Sequence, residues 1–276
     1  MSLMLKLLAI ILVVSSLVKA DDIKQKIETF IEDSFDNNPN VKSMNVKILS
    51  ENKVDGHEKW SAYIVELDAI LKKDGRHVVQ KMMWFSDGEV ITKELFDLKR
   101  AKEMSDFVSI PFKDEFYKRE NLISGNANAK HKVAIFSDPL CPFCRSYVPE
   151  AINYMKKFPN KYAVYYYHFP LETLHPAAVE LVQAAIALEL KGRKNVVLDL
   201  YKVNIDPKER SNKKILAEFN RVMNSNIKSF ELLSKEVTKH FRSDLDVASM
   251  MMVNGTPMVF FDGKLDKTKM KYKEAK

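Results

Sequence analysis

The chain reads as an α+β protein in two parts: a small helix-plus-antiparallel-sheet domain, then, after a linker helix, an α/β domain carrying a helical insertion. Three observations predict this. A helical period is followed by alternating apolar runs separated by Asp-Gly pairs, the pattern of a helix on a meander of hairpins. Farther on, the apolar run Val133–Phe136 leads directly into a second helical pattern, and Tyr162–Phe169 is continuously apolar or aromatic, as in a strand covered on both faces. A series of helical segments then separates these strands from a last apolar strand at Met258–Phe261.

Taken in order, Ile23, Ile27, Phe30, Ile31 and Phe35 recur at helical spacing behind Asp21 and Asp22, which offer an N-cap, and Asn37-Asn38-Pro39-Asn40 stops the helix. Met44, Val46 and Ile48, then Ala62 to Leu67, then Val78 to Phe85 read as strands, with Asp55-Gly56, Asp74-Gly75 and Asp87-Gly88 as turn signals. The Met82-Met83-Trp84-Phe85 cluster is assigned to a core strand or a subunit contact. Leu95, Leu98, Ala101 and Met104 return to a helical spacing that Pro111 ends, giving a linker helix over 93–112 between an N-terminal domain at 21–92 and a second domain at 113–276. In that domain Asn121–Ser124 and Lys132–Phe136 read as strands across a Gly125-Asn126 turn. A helix follows Cys141, carrying Tyr147, Val148, Ala151, Ile152 and Met155 and breaking before Pro159, and further helical segments lie at about 175–190, 194–203, 211–224, 227–241 and 244–252.

The first 20 residues have the layout of a cleaved secretory leader: Lys6, an apolar run from Leu7 to Val14, and small residues near Ala20. The run is short for a membrane span. Export places the chain in an oxidising compartment, where a single cysteine pair is more in keeping with chemistry than with stapling. The formal charge of +7 falls to +5 without Lys6 and Lys19, and lysines alternate with acids throughout, so the chain shows no nucleic-acid-binding patch. With 46% hydrophobic residues and 7 glycines it can bury sizeable cores.

Its two cysteines, Cys141 and Cys144, are separated by Pro142 and Phe143 at the junction of a strand and a helix, the arrangement of a thioredoxin-like redox motif. A sulfur exposed at the tip of a helix meets unpaired N–H groups and the positive end of the dipole, which favour its thiolate, so Cys141 is the expected nucleophile. Pro142 suits the first helical position. Cys144, one turn on, is placed to close a disulfide and release a mixed-disulfide partner. The competing assignment is half of a zinc site, but His57, His77, His131, His168, His175 and His240 show no finger-like pairing, and no metal is expected. Thr256-Pro257 precedes the final apolar strand. A proline there is either an ordinary turn residue starting an edge strand or a cis proline whose loop lies against the cysteine helix, leaving the Thr256 backbone to pair with a substrate.

Phe136-Ser137-Asp138-Pro139-Leu140-Cys141-Pro142-Phe143-Cys144 together with Gly255-Thr256-Pro257 resembles the periplasmic thiol:disulfide interchange proteins of the DsbC/DsbG family, over about residues 118–265. The N-terminal part matches that family in layout alone. The resemblance implies a cystatin-like dimerisation domain, a homodimer with two active sites facing a cleft, misfolded or reduced exported proteins as clients, and a membrane thiol reductase (DsbD-like) as recycling partner. It also implies that the redox-active disulfide Cys141–Cys144 is the only cofactor. Thioredoxin and DsbA carry a buried carboxylate six residues before the first cysteine. Here that position is Ile135, as in DsbC and DsbG, and the proton acceptor for Cys144 is left unassigned. Asp138 is read as a turn cap, and Arg145 as a solvated side chain with some positive field. Phe143 cannot donate to a thiolate as the DsbA histidine does, so the couple is expected to be less oxidising.

The expectation is therefore an exported protein disulfide isomerase or reductase, with chaperone activity beside it. Two alternatives stand beside it: a DsbA-like dithiol oxidase served by a membrane oxidase (DsbB-like), and a holdase chaperone whose cysteines are incidental.

Overall fold

The computed structural model describes residues 22–35, 38–108 and 110–275, so the expected leader at 1–20 lies outside the described residues. The chain divides into two compact units, 1–109 and 110–276.

In the first unit, helix α1 (22–35) packs on a four-stranded antiparallel meander in the order β1 (Val41–Lys53), β2 (Ser61–Leu71), β3 (His77–Ser86) and β4 (Ile91–Thr92). Ile27 and Ile31 of the helix meet Val46, Tyr63, Val65, Leu67 and Trp84 of the sheet. The Asp-Gly turns are where the sequence predicts them, with Gly56, Gly75 and Gly88 all at positive φ. Two glutamates of α1 cover part of the outer edge of β1: Glu32 accepts from the Val46 N–H at 3.0 Å and Glu28 from the Ile48 N–H at 2.7 Å.

The linker helix does not form. Residues 93–108 instead make a short hairpin, β5 (Phe96–Asp97) and β6 (Lys102–Glu103), and a 3-10 turn at Met104–Phe107. The helical spacing was misleading because its apolar residues do not share a face. Leu98 is 94% exposed while Met104 is buried. Ala101 takes positive φ, and the buried Asp97 carboxylate draws in the Arg100 N–H (2.8 Å), the Arg100 guanidinium (3.0 Å) and His57 Nε2 (3.0 Å), a local alternative to the helical ladder. A bridge between Val54 and Val108 ties this segment to the first unit, which therefore extends past residue 92 to about 109.

The second unit is a five-stranded mixed sheet in the order β11 (Lys264–Leu265), β10 (Met258–Phe261), β8 (His131–Ser137), β9 (Tyr162–His168), β7 (Leu122–Ser124). β8 and β9 run parallel, joined by α2 (Pro142–Met155); β10 and β7 are antiparallel to their neighbours. β7 pairs with β9 and not with β8, so the expected Gly125-Asn126 hairpin is absent. Gly125 serves a close approach: a Cβ there would lie 1.8 Å from the Tyr162 carbonyl oxygen.

Every residue of β9 is buried, as predicted for a strand covered on both faces. On one face α2 and α4 (Val196–Leu200) contribute Val148, Ile152 and Val197 against Val133, Ile135, Val164 and Tyr166. On the other, Val247 and Ala248 of α6 (Lys235–Met250) meet Phe136, Tyr165 and Tyr167. Burying each such aliphatic side chain contributes about 1.5–3 kcal/mol, which keeps the strand ends that carry the site firmly placed. Between β9 and β10 lies the helical insertion, α3 (Pro176–Leu190), α4, α5 (Asn212–Met223) and α6, with its own apolar core around Leu181, Ile186 and Phe219. The two segments expected at 227–241 and 244–252 are in fact a 3-10 turn at Ser229–Leu233 and one continuous α6 capped by Ser234. Ser243 and Asp244 stay helical because their side chains are engaged elsewhere, by Lys118 Nζ (2.6 Å) and Asn121 Nδ2 (2.7 Å).

Candidate active site

β8 ends at Ser137, and the chain turns through Asp138-Pro139-Leu140 into α2. The Asp138 carboxylate holds this turn. It is fully buried and accepts from the Leu140 N–H (2.7 Å), the Leu171 N–H (2.7 Å) and His175 Nδ1 (2.9 Å). It thus joins the turn to the segment leading into α3, whose N-cap is His175. Asp138 is a cap, as the sequence indicates; its histidine partner could be found only once the fold brought 175 to 138.

Cys141 is the N-cap of α2, in extended conformation, with Pro142 at the first helical position. Its thiol donates to the Thr256 carbonyl oxygen at 3.6 Å, and the Thr256–Pro257 bond is cis. The loop reaches the cysteine because β10 begins at Met258, paired with Phe136 of β8. Cys141, Cys144, Thr256 and Pro257 therefore converge at one end of the sheet. The sulfur is not exposed at the helix tip as the sequence suggests: Cys141 is 5% exposed, with the Thr256 carbonyl against its thiol, and the exposed members of the motif are Pro142 and Phe143, the latter at 76%. The first turn of α2 leaves backbone N–H groups without helical partners, and these favour negative charge beside Cys141.

Cys144 is fully buried one turn on. Burial pushes its thiol up to about 12, against the opposing pull of the Ser137 and Thr256 hydroxyls and the Asp138 backbone N–H. Behind it Ser137 Oγ and Tyr201 Oη are 2.6 Å apart, and Tyr166 Oη is 2.8 Å from Tyr201 Oη. Sequence reasoning missed all three. Only Ser137 adjoins the motif, whereas Tyr201 arrives from the helical insertion. Arg145 is not a solvated side chain either. It is half-buried, and its guanidinium donates to the carbonyls of Tyr201 (3.2 Å) and Val203, clamping the end of α4 against α2.

A second buried polar group lies along the same strand ends. His168, paired in register with Ser137, has Nε2 3.5 Å from Glu189, and its backbone N–H donates to Asp244 at 2.9 Å. Burial disfavours the His168 cation, but Glu189 and Asp244 together outweigh this and raise its pKa. Two cavities of this unit, about 810 and 610 Å³, are lined by residues such as Leu233, Arg242 and Met250, or Ile123, Lys156 and Glu189, so neither is a pocket beside the sulfurs. Among the described residues no group of three or more His, Cys, Asp or Glu is placed to hold a metal ion, and no helix is long and apolar enough to cross a membrane.

Solved structures similar to this chain include a thioredoxin-like oxidoreductase from Silicibacter pomeroyi DSS-3, 22% identical, covering 54% of this chain and 84% of that one with a TM-score of 0.45. The thiol-disulfide exchange protein alpha-DsbA2 from Wolbachia pipientis is 16% identical over 60% and 92% of the two chains, TM-score 0.46. ScsC from Proteus mirabilis, in a compact conformation, is 20% identical over 55% and 74%, TM-score 0.44. No curated protein matches the sequence. The family profile described as Thioredoxin matches residues 118–276, the stretch that holds both cysteines and the cis-proline loop, and the chain belongs to that family.

Proposed function

We propose that this chain is an exported thiol–disulfide oxidoreductase that acts on protein substrates as an isomerase or reductase of the DsbC/DsbG kind. The observation that carries the reading is the inequality of the two sulfurs: Cys141 sits at a helix N-terminus against the Thr256 carbonyl, and Cys144 is sealed behind it.

In the reduced protein the Cys141 thiolate attacks one sulfur of a substrate disulfide. A Cys141–substrate disulfide forms, and the other substrate sulfur leaves as a thiolate that takes up a proton. If a substrate thiolate then attacks the mixed disulfide, Cys141 is released reduced and the substrate has been rearranged. If Cys144 attacks, the Cys141–Cys144 disulfide forms and the substrate leaves reduced by two electrons. A thiol reductase in the membrane would return those electrons. The Thr256 backbone beside the sulfur suits an extended polypeptide, and Phe143 offers an apolar contact without a donor to the thiolate, in keeping with a less oxidising couple. The periplasm as the site of action rests on the leader-like residues 1–20, and the homodimer through the N-terminal unit on the family resemblance; neither a metal nor a bound organic cofactor is required.

Reduced protein offered a scrambled disulfide protein should restore its activity, and Cys141→Ser should lower that turnover to the uncatalysed rate. Cys144→Ser should retain part of the isomerisation while accumulating mixed disulfide. Preferential oxidation of fully reduced substrate by the disulfide form would transfer the assignment to a dithiol oxidase. Suppression of aggregation that survives Cys141→Ser, with no turnover in the native chain, would make it a holdase.

A further inference from the structure

The loop that brings Thr256 to Cys141 is pinned at both ends. At one end the Val253 N–H donates to the Ala248 carbonyl of α6 at 2.9 Å, and at the other Met258 pairs with Phe136 of β8. Between them lies Asn254-Gly255, the one place in the chain where glycine follows asparagine. Asn254 is exposed, and neither its carboxamide nor the Gly255 N–H makes a hydrogen bond among the described residues. Gly255 is also a glycine that the fold does not demand. The other six take positive φ, whereas Gly255 does not, and a Cβ built on it would meet nothing within 4 Å. What the missing side chain does provide is an unshielded amide nitrogen beside an unheld carboxamide.

We infer that Asn254-Gly255 is a self-modifying site within the active-site loop. A base in solution takes the Gly255 N–H proton, and the amide nitrogen attacks the side-chain carbonyl carbon of Asn254. The new N–C bond closes a succinimide ring, and the side-chain nitrogen leaves with a proton as ammonia. Water then opens the ring. Cleavage of the bond just formed leaves aspartate; cleavage of the original peptide bond leaves Gly255 joined through the side-chain carbon, an isoaspartyl linkage. No oxidant or reductant takes part.

The isoaspartyl product adds one C–C bond of about 1.5 Å to the main chain between Val253 and Met258. Because both ends are held, the added length is taken up inside the loop, which shifts the Thr256 carbonyl from its 3.6 Å contact with the Cys141 thiol. Either product also replaces a neutral amide with a carboxylate, but at an exposed position where solvent and salt screen it, so the charge is the lesser effect. The modification itself is independent of the thiol–disulfide reading above; its consequence for polypeptide substrates rests on that reading.

The test is to incubate the full chain in mildly alkaline buffer and follow it by peptide mapping, in which mass spectrometry reads the exchange of NH2 for OH and chromatography separates isoaspartyl from aspartyl peptides. Asn254 should be the first asparagine to convert, faster as pH rises, because the attacking species is the deprotonated amide. The isoaspartyl form, isolated by ion exchange, should rearrange a scrambled disulfide protein about tenfold more slowly than the fresh chain. Its reaction with oxidised glutathione, which needs the sulfur but not the loop backbone, should stay near the native rate. Asn254→Gln, whose longer side chain must close a larger ring, should keep both activities through the same incubation. Fresh Asn254→Asp, which carries the charge without the added length, should match the fresh native chain. Conversion of another asparagine first, an isoaspartyl form that rearranges polypeptide disulfides at the native rate, or Asn254→Gln losing activity in step with the native chain overturns the inference. A fresh native chain with no turnover of either disulfide refutes the thiol–disulfide function instead, while the mass measurement still decides the modification, so the two failures are distinguishable.

Discussion

The two sulfurs of the motif are three residues apart, but they face different parts of the molecule. Cys141 lies buried at the helix tip under the Thr256 carbonyl, and Phe143, beyond it in sequence, stands out into solvent. Cys144 looks inward, onto Ser137 and the paired tyrosines 166 and 201. The difference follows from one turn of helix: a position at the N-cap sees loops and neighbouring strand ends, and a position three residues later sees the sheet. It teaches that the partners of the two sulfurs are recruited separately, the outer ones from the loop before β10 and the inner ones from β8, β9 and the helical insertion. A substrate-facing defect and a resolution-facing defect should therefore come from different residues.

The largest effect outside the cysteines themselves is expected at Asp138, whose carboxylate joins the turn before Cys141 to the start of α3. Asp138→Ala would strand the buried Leu140 N–H, the part-buried Leu171 N–H and His175, costing about 3 kcal/mol in urea unfolding. Asp138→Asn keeps the shape and one acceptor oxygen and should cost clearly less; equal losses would mean that the carboxylate is not what holds the turn.

A smaller, pH-dependent effect belongs to the inner side. The pKa of His168 is raised above 6.5 in the folded chain. The stabilisation it provides is therefore complete below about pH 6.5, its ordinary value, and is lost as pH rises through the higher folded value. The unfolding free energy of the native chain should fall more steeply above about pH 6.5 than that of His168→Gln. Parallel profiles would show that Glu189 and Asp244 do not hold the imidazolium.

The smallest change in stability is expected on the outer side. Phe143→Ser replaces an exposed ring and should alter unfolding by no more than about 0.5 kcal/mol. Its signature is kinetic: a raised KM for protein disulfides with an unaltered rate toward oxidised glutathione. Slowing of glutathione by the same factor would mean that the ring acts on the sulfur and not on the polypeptide, and the division between outer and inner partners would lose its outer half.

Much of this was legible in the residues themselves. Cys141-Pro142-Phe143-Cys144 between an apolar run and a helical period, and Thr256-Pro257 before an apolar strand, need only neighbours in sequence to be read, because capping, proline geometry and strand periodicity are local. The Asp-Gly turns of the first unit and the helical insertion of the second were readable for the same reason. Tertiary structure decided the rest. Residues 93–108 have helical spacing yet fold onto the first unit as a hairpin and a 3-10 turn, since the Asp97 carboxylate and the Val54–Val108 bridge bind them there. β7 bypasses β8 to pair with β9, and Arg145 is drawn from solvent onto α4. Above all, what stands behind Cys144 could not be inferred from its own segment, because Tyr166 and Tyr201 lie 22 and 57 positions further on. A buried group takes its chemistry from whatever the fold packs around it, whereas a helix tip takes its chemistry largely from the backbone it begins.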